Sequence, residues 1–152
     1  MLRAKKLAVL GAGKLGETLI RGLTEAGVVD VKNIVATAGH QPRLDQLQTK
    51  FGIRCTLSNR QAASKADIVL LSVKPQSVPI VVSEISEVMT PSQLLISVAA
   101  SVSTVFIEKH LAAAVPVIRA MPNTPCLINK GMTGLAPGKN AHAEHVADDK
   151  SA

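Results

Sequence analysis

Gly11-Ala12-Gly13-Lys14-Leu15-Gly16 is the stretch that decides the fold of this chain. It follows a short apolar run, Leu7–Leu10, and leads into leucines spaced four apart at positions 15, 19 and 23. A G-x-G-x-x-G between a strand and a helix predicts a tight elbow whose helix N-terminus holds the phosphates of a dinucleotide. The first glycine permits the turn, the second admits a pyrophosphate, and the third lets the helix pack closely on the strand. An ordinary glycine turn is the alternative.

Apolar runs alternate with helical patterns along the rest of the chain. Ile34–Ala36, Ile68–Leu71, Leu94–Val98 and Val115–Ala120 predict further strands. This alternation is typical of a parallel sheet with crossover helices. The sequence therefore predicts an α/β fold with a doubly wound, mainly parallel, Rossmann-like sheet, in one domain over residues 1–137. Shorter elements are expected as a strand near Ile53-Arg54, helices over Arg60–Lys65 and Ser103–Leu111, a helix capped by Ser77 with a stripe reaching Met89, and a seventh strand at Gly131–Ala136.

Composition narrows the class of protein. The chain has 152 residues, is 47% hydrophobic and has a mean hydropathy of +0.26, which is too apolar for a disordered protein. No apolar run approaches the ~20 residues that a membrane helix needs, and the apolar run behind the N-terminus is too short for a signal peptide. Cys55 and Cys126 are too few for a disulfide framework and are expected to be reduced thiols. These features predict a cytoplasmic protein without a membrane partner.

Charge is concentrated in the first half of the chain. Seventeen Lys and Arg against eleven Asp and Glu give a net charge of +6, and residues 1–76 carry 12 of those basic side chains but only five acidic ones. A basic half suits an anionic ligand, either nucleic acid or a phosphate-bearing small molecule. Two Phe, no Tyr and no Trp leave almost nothing on which bases could stack. The small molecule is favoured, and no nucleic-acid partner is expected.

The end of the second predicted strand indicates which nucleotide is bound. An NAD site usually places Asp or Glu there for the ribose hydroxyls, but residues 36–40 contain no carboxylate and Asp30 lies before the strand. Thr37, His40 and Arg43 could instead bind a 2′-phosphate. NADP is therefore expected as the cofactor, although a missing carboxylate leaves NAD open and Arg43 could simply begin a helix.

Two further segments fall at the same edge of the predicted sheet. Ser72-Val73-Lys74-Pro75 follows the central strand, and Ala120–Pro125 follows the sixth strand. Ligands bind at this edge in open α/β sheets. His142 and His145 lack a third ligand, so no metal site is predicted. Cys126 has no neighbouring histidine to activate it, so it is expected to pack rather than react.

Together these segments resemble pyrroline-5-carboxylate reductase. The resemblance rests on motifs that occur in the family's order and at similar spacing: Gly11–Gly16, Val73-Lys74-Pro75, Ser97-Val98-Ala99-Ala100 and Val117–Pro125. It covers about residues 6 to 147, which is only the first of the family's two domains. The fold would thus lack the family's helical C-terminal domain, and residues 138–152 would be a tail or the start of a truncated helical domain. Family members homo-oligomerise through that domain.

The resemblance implies a reductase of proline biosynthesis, in which hydride passes from NADPH to the C=N carbon of Δ1-pyrroline-5-carboxylate to give L-proline. Matched residues would contact the pyrophosphate (Gly11, Gly13, Lys14, Leu15, Gly16), the adenosine ribose (Thr37, Asn59), the nicotinamide half (Val73, Lys74, Pro75, Ala99, Ala100), and the nicotinamide ring and substrate (Met121, Pro122, Asn123, Thr124). No catalytic residue is assigned, although Lys74, Asn123 and Thr124 would lie near the reacting atoms. Lys74 could also be a solvated amine. The alternatives are another small NADP-dependent reductase of the deazaflavin:NADP oxidoreductase type, or a stand-alone NADP-binding module.

Overall fold

A computed structural model of the chain describes residues 4–121 and 133–137. The strands in this part of the chain are β1 Leu7–Leu10, β2 Ile34–Thr37, β3 Arg54–Thr56, β4 Ile68–Leu71, β5 Leu94–Ser97, β6 Val117–Met121 and β7 Thr133–Pro137. The helices are α1 Lys14–Glu25, α2 Gln41–Phe51, α3 Asn59–Ser64, α4 Val78–Ile85 and α5 Thr104–His110, with 3-10 turns at Val31–Asn33 and Pro75–Ser77. None of these described helices combines the length and the apolar character needed to cross a membrane.

The strands form one sheet in the order β3-β2-β1-β4-β5-β6-β7. The first six are parallel, and Val9 of β1 lies between Ala36 of β2 and Leu70 of β4. β7 pairs antiparallel with β6 at the edge. Strand order reverses between β1 and β4, which is the switch point where open α/β sheets bind ligands. The predicted doubly wound, mainly parallel sheet is confirmed.

Helices cover the sheet on both faces, which explains why its strands are apolar without alternation. Leu7, Val9 and Leu70 belong to a buried layer shared with Leu19 and Leu47 of α1 and α2. The intervening strand residues, such as Ala8, Leu10 and Leu71, pack on the opposite side with α3, α4 and α5. Each central strand therefore contributes side chains to two cores.

The entry to α4 differs from the sequence-based prediction. Ser77 precedes the helix, but its side chain makes no capping hydrogen bond. The chain enters through the 3-10 turn Pro75–Ser77, which leaves Ser77 with helical φ of −91° and ψ of −12°, whereas a capping serine is normally extended. The helix also ends at Ile85, so Met89 of the predicted stripe lies beyond it, although Met89 is buried.

The buried side-chain amide of Gln93 links the end of α3 to the start of β5. Gln93 is only 7% exposed, and its Nε2 donates to the carbonyl oxygens of Ala63 at 2.7 Å and Ala66 at 2.6 Å. Its Oε1 accepts from the Thr90 amide at 2.8 Å. One side chain thereby satisfies three backbone groups around the end of α3 and the approach to β5. Sequence reasoning did not single out this glutamine.

Replacing Gln93 with methionine should destabilise the domain by about 2–4 kcal/mol, because three backbone groups each lose a hydrogen bond at a buried position. Gln48→Met, at an exposed position of α2, is the matched control and should change stability by no more than about 0.5 kcal/mol. Urea unfolding followed by circular dichroism measures both variants. Equal midpoints for the two would show that the Gln93 contacts contribute nothing.

Candidate functional site

A cleft opens at the carboxyl ends of β1, β2, β4 and β5, around the switch point. Its volume is about 600 Å³. The residues that line it are Gly11, Ala12, Gly13, Lys14, Leu15, Ala38, Gly39, His40, Arg43, Ser72, Val73, Lys74, Pro75, Val98, Ala99 and Ala100. The loops that follow four separate strands thus line one cavity, and the glycine elbow lines it where α1 begins.

The three glycines of the elbow meet three different steric demands. Gly11 has φ of +76°, and a Cβ there would lie 2.2 Å from Val73 Cγ1. A Cβ on Gly16 would lie 3.0 Å from Ser72 Oγ, where α1 crosses close to β4. At Gly13 no atom lies within 4 Å of the Cβ position, so the backbone is open to the cleft. Gly11 and Gly16 are therefore required by packing, whereas Gly13 leaves room for an approaching group.

Every amide in the first half of the elbow is bonded within the protein. The Gly11 N–H donates to Thr37 Oγ1 at 3.0 Å, and the Ala12 N–H donates to the Thr37 carbonyl oxygen at 2.7 Å. The Gly13 N–H donates to the Gly11 carbonyl oxygen at 2.8 Å. These three amides are therefore occupied, and the elbow is fastened to the end of β2 through Thr37.

The elbow carbonyl groups are also bonded. The Ser72 hydroxyl has one hydrogen to share between the Leu10 oxygen at 2.9 Å and the Gly11 oxygen at 3.2 Å, and Arg43 Nε donates to the Ala12 oxygen at 3.0 Å. The Gly13 oxygen accepts from Arg43 Nη2 at 3.1 Å and from the Glu17 amide at 2.9 Å. The polar backbone of residues 11–13 is thus satisfied before any ligand is considered.

The amides that remain for a ligand belong to the first turn of α1. The N–H groups of Lys14, Leu15 and Gly16 have no acceptor within the helix, because the first turn of a helix has no preceding carbonyl groups. They also lie at the positive end of the helix dipole, and Lys14 and Leu15 line the cleft. This arrangement suits an anion such as a pyrophosphate. Gly11 and Gly13, also predicted to contact it, shape the elbow while their own amides bond within the protein.

Thr37 and Asn59 lie behind the elbow rather than in the cleft. Thr37 is 1% exposed, and its hydroxyl accepts from Gly11 and donates to Asn59 Oδ1 at 2.6 Å. Asn59 Nδ2 donates to Glu84 Oε1 at 3.0 Å. Neither residue lines the cavity, so the structure gives both a supporting position, and their predicted contact with an adenosine ribose stays a prediction.

Three cations surround the carboxylate of Glu17. Its oxygens accept from Lys50 at 2.8 Å, from Arg43 at 2.9 Å and from Arg21 at 3.1 Å. The hydrogen bond from Lys50 does most to lower the pKa of Glu17 below its usual value; desolvation opposes it, and the bond from Arg43 adds to it. Arg21 lies four residues after Glu17 on α1, a spacing at which opposite charges pair on a helix. Lys50 and the cross-helix link to Arg43 were not predicted, since they join residues far apart in the sequence.

The remaining predicted residues divide between the cleft and the part of the chain outside the described residues. His40, Val73, Lys74, Pro75, Ala99 and Ala100 all line the cavity. Pro122, Asn123 and Thr124 lie outside the described residues, as do Cys126, His142, His145 and residues 138–152, and Met121 is described only as part of β6. Four further lining residues, Ser72, Val98, Ala38 and Gly39, lie within the segments that the sequence analysis quotes, but no contact was assigned to them individually. Within the described ranges no three His, Cys, Asp or Glu side chains are grouped to hold a metal.

A doubly wound sheet with a glycine elbow at its switch point is the architecture of Rossmann-type dinucleotide-binding domains. A comparison of the sequence with family models identifies one family within this class. The chain belongs to the family described as "NADP oxidoreductase coenzyme F420-dependent", whose model matches residues 6–101.

Curated relatives carry the name pyrroline-5-carboxylate reductase. The one from Methanosarcina acetivorans is 39% identical over 142 residues, which are 93% of this chain and 53% of the relative. The one from Vibrio alginolyticus is 40% identical over 131 residues, covering 86% and 48% respectively. A solved pyrroline-5-carboxylate reductase from Coxiella burnetii has a TM-score of 0.82 at 33% identity, over 94% of this chain and 53% of that one. The resemblance is confirmed, and the chain spans about half the length of these relatives.

Gly11→Ala should destabilise the domain by about 2–4 kcal/mol, because an alanine at positive φ is strained and its Cβ overlaps Val73. Gly13→Ala, two residues away in the same elbow, should cost no more than about 1 kcal/mol, since nothing lies near its Cβ position. Urea unfolding of the two variants tests this difference. Equal losses of stability would contradict the steric account of Gly11.

Acid should remove the stabilisation that Glu17 contributes. Because its folded pKa is lowered, that contribution is complete above the unfolded value of 4.5 and is lost as the pH falls through the folded pKa. Glu17→Gln should therefore lose less stability than the wild-type chain between about pH 5 and about pH 3. Glu25→Gln, an exposed change on the same helix, should keep the wild-type acid dependence. If Glu17→Gln and the wild-type chain lost the same stability over this pH range, the role of the Glu17 ion pairs would be contradicted.

Proposed function

We propose that this chain is the NADP-binding domain of a pyrroline-5-carboxylate reductase, which forms L-proline by reducing Δ1-pyrroline-5-carboxylate. The observation that carries the proposal is the set of first-turn amides at Lys14, Leu15 and Gly16, left without acceptors in their helix beside a cleft at the switch point. Identity of 39% to a relative of that name, over most of the chain, supports the choice of reaction.

The cleft has room and chemistry for both halves of a dinucleotide. The pyrophosphate would bind the α1 amides, and the nicotinamide half would extend along Val73–Pro75 and Val98–Ala100, the loops after β4 and β5. These loops are mainly apolar, so they would exclude water from the reacting carbon. NADPH, when bound, would supply the hydride. The chain's own contribution is to bind and orient the nucleotide, and such positioning can lower a barrier substantially.

Charge in the cleft favours the nucleotide that carries an extra phosphate. Apart from Arg43, most of whose donors are bonded within the protein, the lining residues include Lys14, Lys74 and His40, and no Asp or Glu is among those that the structure describes there. An acidic side chain at the end of β2 would favour the free ribose hydroxyls of NAD. The loop after β2 instead presents Ala38, Gly39 and His40. We therefore assign NADP as the preferred cofactor.

The family description favours one alternative, a reductase that exchanges hydride between NADP and coenzyme F420. That match ends at residue 101, before β6. The relatives named pyrroline-5-carboxylate reductase match over 93% and 86% of the chain, which takes in β6 as well. The longer match supports the imine substrate. Substrate contacts by Lys74, Met121, Pro122, Asn123 and Thr124, homo-oligomerisation and a cytoplasmic location are part of the proposal and rest on the resemblance.

Calorimetric titration with NADPH and NADH tests the cofactor assignment. We expect saturable binding of both and at least about tenfold tighter binding of NADPH, because a 2′-phosphate adds charge-assisted contacts worth about 1.4 kcal/mol or more. Gly13→Ala should weaken both nucleotides while Gln48→Met leaves them unchanged, since only the former puts a methyl group at the open elbow. No binding of either nucleotide would refute the proposal.

The compound that accepts hydride from NADPH distinguishes the proposed pyrroline-5-carboxylate reductase from the coenzyme F420-dependent alternative. Oxidation of NADPH by the chain should be slow, because it spans about half of its relatives, but it should be faster with Δ1-pyrroline-5-carboxylate than without it. Coenzyme F420 should leave that rate unchanged. The opposite pattern, in which only coenzyme F420 oxidises NADPH, would replace the proposed reaction with the alternative.

A further inference from the structure

Arg43 lies at the start of α2 and reaches back across the glycine elbow. Its Nε donates to the Ala12 oxygen at 3.0 Å, and its Nη2 donates to the Gly13 oxygen at 3.1 Å and to Glu17 Oε1 at 2.9 Å. Its Nη1 donates to Gln46 Oε1 at 3.3 Å. Four of the five N–H donors of the guanidinium are therefore matched to acceptors within the protein.

This geometry disagrees with direct recognition of a 2′-phosphate by Arg43. A strong arginine–phosphate contact uses two parallel N–H donors. The edge formed by Nε and Nη2 is already directed at the elbow carbonyls, and only one N–H of Nη1 has no acceptor in the described structure. A bidentate contact with phosphate would have to break bonds that the guanidinium makes to the elbow carbonyls, or else its bonds to Glu17 and Gln46.

The bonds from Arg43 determine where the neighbouring amides point. In a trans peptide the C=O and the N–H project in opposite directions. The Gly13 oxygen points along α1, where it accepts from the Glu17 amide and from Arg43 Nη2. The N–H of the same peptide unit belongs to Lys14, so it is directed toward the place where an anion would bind.

Glu17 keeps the guanidinium in this position. It lies in the first turn of α1, and its carboxylate binds Arg43 at the start of α2 and Lys50 near the end of α2. The side chains of Glu17 and Arg43 are only 17% and 21% exposed. Shelter of this kind makes an ion pair stronger than one at the open surface. The pair thus fastens α1, α2 and the elbow to one another.

We propose that Arg43 is a positioning residue, anchored by Glu17, which orients the elbow for the pyrophosphate and does not select NADPH over NADH. The inference rests on the proposed function, because it concerns the same nucleotide site. It assigns the preference for NADPH to other groups at the end of β2, where His40 lines the cleft. It also makes Glu17 a residue of the site although it does not line the cavity.

The test compares dissociation constants for NADPH and NADH in three variants. Arg43→Lys keeps the charge but lacks the planar fork of donors that reaches both elbow carbonyls and Glu17 together, so both nucleotides should bind about tenfold more weakly. Glu17→Gln should weaken both by about threefold, since the guanidinium loses its anchor. Arg60→Lys makes the same exchange at an exposed position outside the cleft, and both constants should stay at wild-type values.

The ratio of the two constants decides the outcome. The proposal predicts a wild-type ratio in Arg43→Lys, and a ¹⁵N NMR spectrum without nucleotide in which the Lys14 amide has shifted while amides of β4 have not. A loss confined to NADPH would overturn it and show direct contact with the 2′-phosphate, and so would unchanged binding of both nucleotides. Absence of binding by the wild-type chain would refute the proposed function instead. Circular dichroism and urea unfolding confirm that each variant is folded.

Discussion

The peptide unit between Gly13 and Lys14 is the constraint on which the rest of the site depends. Its carbonyl oxygen is held by the Arg43 guanidinium and the Glu17 amide, so its N–H is directed into the cleft. The missing Cβ of Gly11 lets the chain turn beside Val73. Thr37 then fixes the elbow to the end of β2. The proposed anion site consists of backbone groups that are held in place before a ligand arrives, which reduces the cost of binding.

The sheet brings these parts together because its strands are parallel and its order reverses between β1 and β4. Parallel strands place all their following loops at one edge, and the reversal leaves a crevice there. The elbow, the loop that contains His40, the Val73–Pro75 loop and the Val98–Ala100 loop consequently line one cavity. One cavity therefore forms from loops that are far apart in the sequence.

Local sequence patterns predicted the sheet and the elbow, because a strand, a glycine turn and an amphipathic helix each depend on neighbouring residues. Side-chain contacts between residues far apart in the sequence were not predicted. The sequence predicts Arg43 as a phosphate ligand, and nothing local shows that its guanidinium donates to carbonyl groups 30 and 31 residues away. Nothing local indicates that Gln93 is buried, because the carbonyl groups that it bonds lie 30 and 27 residues away. Ser101, beside the cleft loop, has φ of +61° at a position where the sequence offers no glycine to indicate it.

The central claim is that the first-turn amides of α1 hold the nucleotide, and ¹⁵N NMR during a titration with NADPH tests it most directly. The amide resonances of Lys14, Leu15 and Gly16 should shift strongly downfield and become protected from solvent exchange, while the already bonded amides of Gly11 and Ala12 change little. Binding of NADPH that leaves the resonances of residues 14–16 unmoved would contradict the account.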